Sequence, residues 1–135
     1  MYKTQTFLGG VKATAFKKSA KATVRIAPNS AFSIFINGAP LNYQFDDVIN
    51  QMVIMSAFEV VASSNFIVIA NTWGGGIESQ AHALRHAITK CLIALNHDSK
   101  NILAKYGYVS TDCRKVERKK CGLAKARKAF QFSKR

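Results

Sequence analysis

The stretch Asn65-Phe66-Ile67-Val68-Ile69-Ala70-Asn71-Thr72-Trp73-Gly74-Gly75-Gly76-Ile77 decides the fold, because it holds a strand, a break and a helix start in one short run. Phe66–Ala70 is continuously apolar and β-branched, a composition expected of a strand buried on both faces. The three glycines turn the chain. Ile77–Leu95 then places Ala81, Leu84, Ile88, Cys91, Leu92 and Leu95 on one helical face. Working outward toward the amino terminus, Thr6–Ile26 reads as extended, most clearly in the period-2 run Lys21-Ala22-Thr23-Val24-Arg25-Ile26. Pro28-Asn29-Ser30 is a turn, and Phe32–Ile36 a short strand stopped by Asn37-Gly38-Ala39-Pro40, where Asn-Gly suits positive φ. From Asp46 onward Val48, Ile49, Met52, Val53, Met55 and Val60 have helical spacing, with Asp46 or Asp47 as the N-cap. On the carboxyl side, Asp98-Ser99 caps a short helix through Leu103 and Tyr106, which Gly107 ends. After Tyr108, Val116, Leu123, Phe130 and Phe132 are too sparse to form a core face. The expectation is an α+β fold, a sandwich of one sheet with helices packed on it. A globular domain over residues 1–109 would carry an extended basic tail over 110–135.

Charge follows the same partition. The chain has 135 residues, 48% of them apolar, with a net charge of +13 and a pI near 10.0. That much like charge repels itself in a small fold and points to a polyanionic partner, nucleic acid ahead of a membrane surface. Residues 1–25 carry +6, residues 26–84 have no Lys or Arg and carry −4, residues 85–112 carry +2, and residues 113–135 carry +9. The central block has the character of a core and the last block that of an interaction tail. No apolar run is long enough to span a membrane. Met1–Thr6 leads into neither a signal-peptide nor a transit-peptide pattern. Cys91, Cys113 and Cys121 include no CxxC pair, so a reducing compartment without a disulfide or zinc site is the simpler reading.

Few residues offer chemistry beyond charge. Trp73-Gly74-Gly75-Gly76 before a helix resembles a phosphate cradle, but no GK[ST] follows and the spacing is not GxGxxG. A tight strand-to-helix turn, an RNA phosphate site and nucleotide catalysis follow in that order. His82 and His86 stand one turn apart without a third ligand and read as exposed or RNA-facing beside Arg85 and Lys90. Asp46-Asp47 reads as ordinary helix-start acid. Lys12, Lys17, Lys18, Lys21 and Arg25 alternate along the first strands, on a sheet face that is either solvated or RNA-binding. In the tail, Arg supplies a planar fork for phosphate and Lys a point charge, while Phe130 and Phe132 offer rings for stacking on bases. On residues alone, RNA or DNA binding leads, against a solvated tail or a localisation signal, and a small phosphate-handling enzyme using the Gly74–Gly76 turn ranks last because it lacks any Mg²⁺ or base constellation.

The motifs resemble a known family. Glu117-Arg118-Lys119-Lys120, Gly122-Leu123, Lys125-Ala126-Arg127 and Gln131-Phe132-Ser133-Lys134-Arg135 are similar to the carboxyl terminus of universal ribosomal protein nine of the small subunit, in its bacterial or organellar form. Thr111-Asp112 with Arg114, Ile36-Asn37-Gly38, and Gly74-Gly75-Gly76 followed by Gln80-Ala81, Ala83 and Arg85 fit as well, in the same order along nearly the whole chain. The resemblance implies the sandwich of the ribosomal-S-five second-domain type. It implies a place in the head of the small subunit on the 3′ major domain of the rRNA, beside neighbouring head proteins and with no enzymatic activity or cofactor. It implies RNA contacts by Lys12, Arg85, Arg114, Lys115, Arg118, Lys119, Lys120, Lys125, Arg127 and Lys128. Ser133, Lys134 and Arg135 would meet the anticodon stem-loop of the P-site tRNA. The family opens with Gly, three basic residues and Thr-Ala, whereas Gly10-Val11-Lys12-Ala13-Thr14-Ala15 keeps only Lys12. Ile77-Glu78-Ser79 also departs from a favoured Ser-Gly. This drift points to an organellar ribosome, plastid or mitochondrial, with a bacterial one as the alternative.

Overall fold

The computed structural model describes residues 5–7, 10–62 and 65–133. The elements run β1 (Gln5–Phe7), β2 (Gly10–Lys17), β3 (Ala20–Pro28), β4 (Ser33–Ile36), β5 (Ala39–Pro40), α1 (Leu41–Gln44), α2 (Val48–Val61), β6 (Phe66–Trp73), α3 (Ile77–Leu95) and α4 (Ser99–Lys105). They build a single sheet in the order β1-β2-β3-β6-β4-β5, so the expected α+β architecture with helices on one sheet is what the chain adopts. The strand opening the decisive stretch is central: β6 pairs antiparallel with β3 and parallel with β4. Parallel pairing needs a crossover rather than a hairpin, and α1 and α2 supply it between β4 and β6.

Alternation along the strands puts Ala13, Ala15, Ala22, Val24, Ile26, Ile34, Ile36, Val68 and Ala70 on the buried side, under α2 and α3. Many of these are alanines, and α3 answers with Ala81, Ala83 and Ala87, so helix and sheet approach closely around Leu84, Ile88 and Leu92. Burial of Cys91 in this seam pushes its thiol up to about 12, which leaves it a small apolar filler rather than a nucleophile.

One expectation about a face is corrected, and one face that the residues left open is assigned. β6 is buried on one face only: Val68, Ala70 and Thr72 are covered, while Ile69, Asn71 and Trp73 are exposed. An apolar run alone cannot separate a two-sided strand from a one-sided strand with apolar exposed residues, and here a single helical layer covers the sheet. On α2 the residues facing the core are Asn50, Ile54, Ala57 and Phe58, whereas Val48, Ile49 and Met52 point to solvent. The helix is apolar nearly all round, so its periodicity left its orientation open.

Most of the predicted punctuation is physically explained, although Asp98, at the start of α4, makes no side-chain capping bond. Asp47 caps α2, accepting the Ile49 amide at 3.0 Å. Asn37 and Gly38 both take positive φ, and the Asn37 side chain accepts from the Thr72 amide at 2.9 Å while donating to the Thr72 carbonyl and hydroxyl. The β4–β5 turn is thereby locked to the end of β6. Gly74 and Gly75 also have positive φ, and a Cβ on either would lie under 3.0 Å from the backbone of Ser19 or Ala20. The glycine run is a tight turn pressed against the β2–β3 hairpin, and Gln80 holds it by donating to the Gly74 carbonyl at 3.1 Å.

Candidate nucleic-acid interface

From Ser110 to Ser133 the described residues form no helix or strand, and most of their side chains are exposed. The segment is not uniformly straight. Residues 120–128 fold back on themselves, with the Ala124 amide donating to the Lys128 carbonyl at 2.7 Å. Gly122 takes positive φ there, and the Arg127 guanidinium forks onto the Glu117 carboxylate across the turn.

The segment begins at a built anchor. Tyr108 and Val109 pack against the core. His86, buried on α3, bonds through Nδ1 to the Tyr108 carbonyl at 3.0 Å and through Nε2 to the Thr111 hydroxyl at 2.6 Å. A carbonyl can only accept, so Nδ1 carries the proton and a neutral ring takes the Thr111 hydroxyl as donor on Nε2. Burial holds the His86 imidazole below its ordinary value, and the nearby Lys90 and Arg85 charges act in the same direction. Arg85 stacks its guanidinium over the Tyr108 ring at 4.4 Å. One step further on, Asp112 accepts from Lys17 of β2 at 3.0 Å and from both the backbone and the guanidinium of Arg114. Those bonds, from Arg114 first and Lys17 next, hold the Asp112 carboxyl well below the usual carboxylate range.

This geometry sorts the predicted residues. Lys115, Arg118, Lys119, Lys120, Lys125 and Lys128 project from the segment with no side-chain partner among the described residues. Arg114 and Arg127 are exposed but each is paired with a carboxylate of the segment itself. Arg85 belongs to the anchor, half-buried on Tyr108. Ser133 is exposed, and Lys134 and Arg135 lie outside the described residues. Lys12 sits on the uncovered face of the sheet, in a shallow depression with Thr23, Arg25, Ile69, Asn71 and Trp73. Lys21 on the same face lies over both the Phe16 and Trp73 rings, at 5.4 and 4.9 Å. The reading of His86 as exposed or RNA-facing is corrected, because the ring is buried and spans two segment residues; its neighbour His82 is half-buried. Sequence reasoning missed the joint role of His86, Thr111, Asp112 and Lys17. Thr111-Asp112 stood out as a motif, but its partners are remote in sequence.

Among the described residues no group of side chains could hold a metal ion. A one-sided sheet domain with cations on its open face and an anchored segment rich in unpaired Lys and Arg has the surface of a protein that meets a polyanion. Comparison with known proteins identifies which kind. Residues 15–135 match the family model of ribosomal protein S9/S16. Over 120 residues the chain is 39% identical to the small ribosomal subunit protein uS9 of Anaeromyxobacter sp. (strain K), covering 88% of this chain and 92% of that one. It is equally similar to the uS9 of Anaeromyxobacter dehalogenans (strain 2CP-1 / ATCC BAA-258). The chain belongs to the ribosomal protein S9/S16 family: it is a structural constituent of the small ribosomal subunit and not an enzyme. Both relatives are bacterial and give no support to an organellar origin.

Proposed function

We propose that this protein binds the 3′ major domain of the rRNA in the subunit head through residues 110–135, as an appendage of the domain formed by residues 1–109. Lys115, Arg118, Lys119, Lys120, Lys125 and Lys128 meet phosphates, Arg114 and Arg127 do so from their carboxylate-paired positions, and Lys12 and Arg85 add contacts from the domain. The observation that carries this reading is the row of exposed, unpaired cations on a segment fixed to the domain at its root by His86 and Asp112. Fixing the root sets where the cations emerge and reduces the chain entropy lost when they bind.

In this reading Ser133, Lys134 and Arg135, the last residues in sequence, contact the anticodon stem-loop of P-site tRNA. The test is deletion of Ser133–Arg135 in small subunits. Assembly should persist while P-site tRNA dissociates faster; unchanged tRNA affinity removes the tRNA role and leaves the rRNA role standing. A bacterial-type particle is the setting the relatives favour, and the drifted Gly10–Ala15 motif is what speaks for a plastid or mitochondrial one.

A further inference from the structure

One side of the molecule takes no part in the cationic surface. No Lys or Arg occurs between Arg25 and Arg85, and the fold gathers much of this block on β4, β5, α1 and α2. There α2 and β4 border a groove of about 530 Å³ whose lining includes Phe32, Ile34, Leu41, Met52, Met55 and Glu59, with no Lys or Arg among its residues. Val48, Met52, Met55 and Glu59 recur at spacings of four, three and four, so they form one stripe along α2. Met55 packs partly against the core, but Val48, Met52 and Glu59 of this stripe are exposed, and Ile54, Ala57 and Phe58 are the residues of α2 buried against the body. Val48 and Met52, which line the groove, are each about two-thirds exposed. An apolar groove with exposed hydrocarbon of this kind, rimmed by polar groups, marks a contact with another molecule.

Charge narrows the occupant. Glu59 lies in the groove and Asp46 and Asp47 stand exposed at the start of α2. An RNA backbone would set phosphates against carboxylates and bare hydrocarbon with no cation to offset them. A second copy docked face to face would bring the same acids together. A cationic polypeptide carrying an apolar anchor has neither problem: its anchor enters between Met52 and Met55, whose flexible thioethers adapt to the shape, and its Lys or Arg meets Glu59.

We propose that the α2–β4 groove docks a Lys/Arg-flanked apolar segment of a neighbouring protein of the particle. This rests on the ribosomal reading above. The experiment places a photo-crosslinking amino acid at position 52 of the full chain, and separately at position 119, and isolates assembled small subunits. At position 52 the expected product is a protein–protein adduct that survives ribonuclease. Its partner peptide should carry Lys or Arg on both sides of an apolar residue, and Glu59→Lys should lower its yield several-fold. A ribonuclease-sensitive adduct, an adduct to a second copy of this chain, no adduct, or a yield indifferent to Glu59→Lys overturns the proposal. Position 119 should crosslink to rRNA, and its failure to do so strikes the rRNA reading separately from the groove.

Discussion

Thr111→Val tests whether the basic segment is anchored to the domain. The substitution keeps the side-chain shape and removes one hydroxyl, which lies 2.6 Å from Nε2 of His86. The ring cannot turn to compensate, because its Nδ1–H is committed to the Tyr108 carbonyl at 3.0 Å. Nε2 of a buried histidine is then left without a donor, a loss of about 1–3 kcal/mol. His86→Ala should cost more, roughly 2–4 kcal/mol, since it deletes both bonds and opens a void beside Tyr108. For a domain of this size each kcal/mol lowers Tm by roughly 4–8 °C. Thermal unfolding of the full-length variants gives the global figure. Hydrogen exchange gives the local one at the Tyr108 amide, which donates to the Leu103 carbonyl at 3.1 Å. Asp112→Asn, which weakens the more exposed pair with Lys17, should move Tm less than Thr111→Val. If Thr111→Val leaves both Tm and exchange at Tyr108 unchanged, the His86 bond does not hold the segment and the anchor must be redrawn.

The same histidine sets a pH dependence. Burial lowers its pKa in the folded chain, so the folded state binds fewer protons than the unfolded one. Its contribution should be complete above the unfolded value near 6.5 and be lost as pH falls from there through the folded value; Tm measured across that range should show a decline that His86→Ala lacks. Binding of the full chain to small-subunit rRNA should weaken steeply with salt, and replacing Arg118, Lys119 and Lys120 by Ala should reduce the log–log slope by roughly 0.7–0.9 for each phosphate no longer neutralised; an unchanged slope would place those residues off the RNA. Gly75→Ala, which forces a Cβ against Ala20 at a positive φ, should destabilise by roughly 1–3 kcal/mol, with Gly38→Ala closer to the low end because nothing lies within 4 Å there; equal losses at the two sites would show that contact with the hairpin is not the reason for Gly75.

Much of the fold could be read from residues because its signals are local. α3 begins at Ile77 and ends at Leu95 as its periodicity implies, and the Asn37-Gly38 turn takes the positive φ its residues invite. The misread faces of β6 and the unassigned face of α2 have a common cause. In α2 and β6 apolar residues continue onto the exposed side, so hydrophobicity alone could not orient either element. The exposed cations of the segment were legible as charge. Its anchor was not, because His86 lies 25 positions from Thr111 and Lys17 lies 95 from Asp112. Nothing local distinguishes such partners from ordinary polar residues. Acidic pairing of Arg114 and Arg127 was hidden in the same way: the tail sums to strong positive charge whether or not its two acids are engaged.

If the basic segment is the RNA-binding part of the molecule, its exposed cations must carry the protein into its particle. Coexpressing tagged Arg118→Ala/Lys119→Ala/Lys120→Ala chain with the unaltered chain, and measuring their ratio in purified small subunits against their ratio in the free pool, tests this directly. These side chains have no partner in the folded domain among the described residues, so the variant should fold normally and yet be depleted several-fold from the subunits. An equal ratio in both pools would contradict the assignment of RNA binding to this segment.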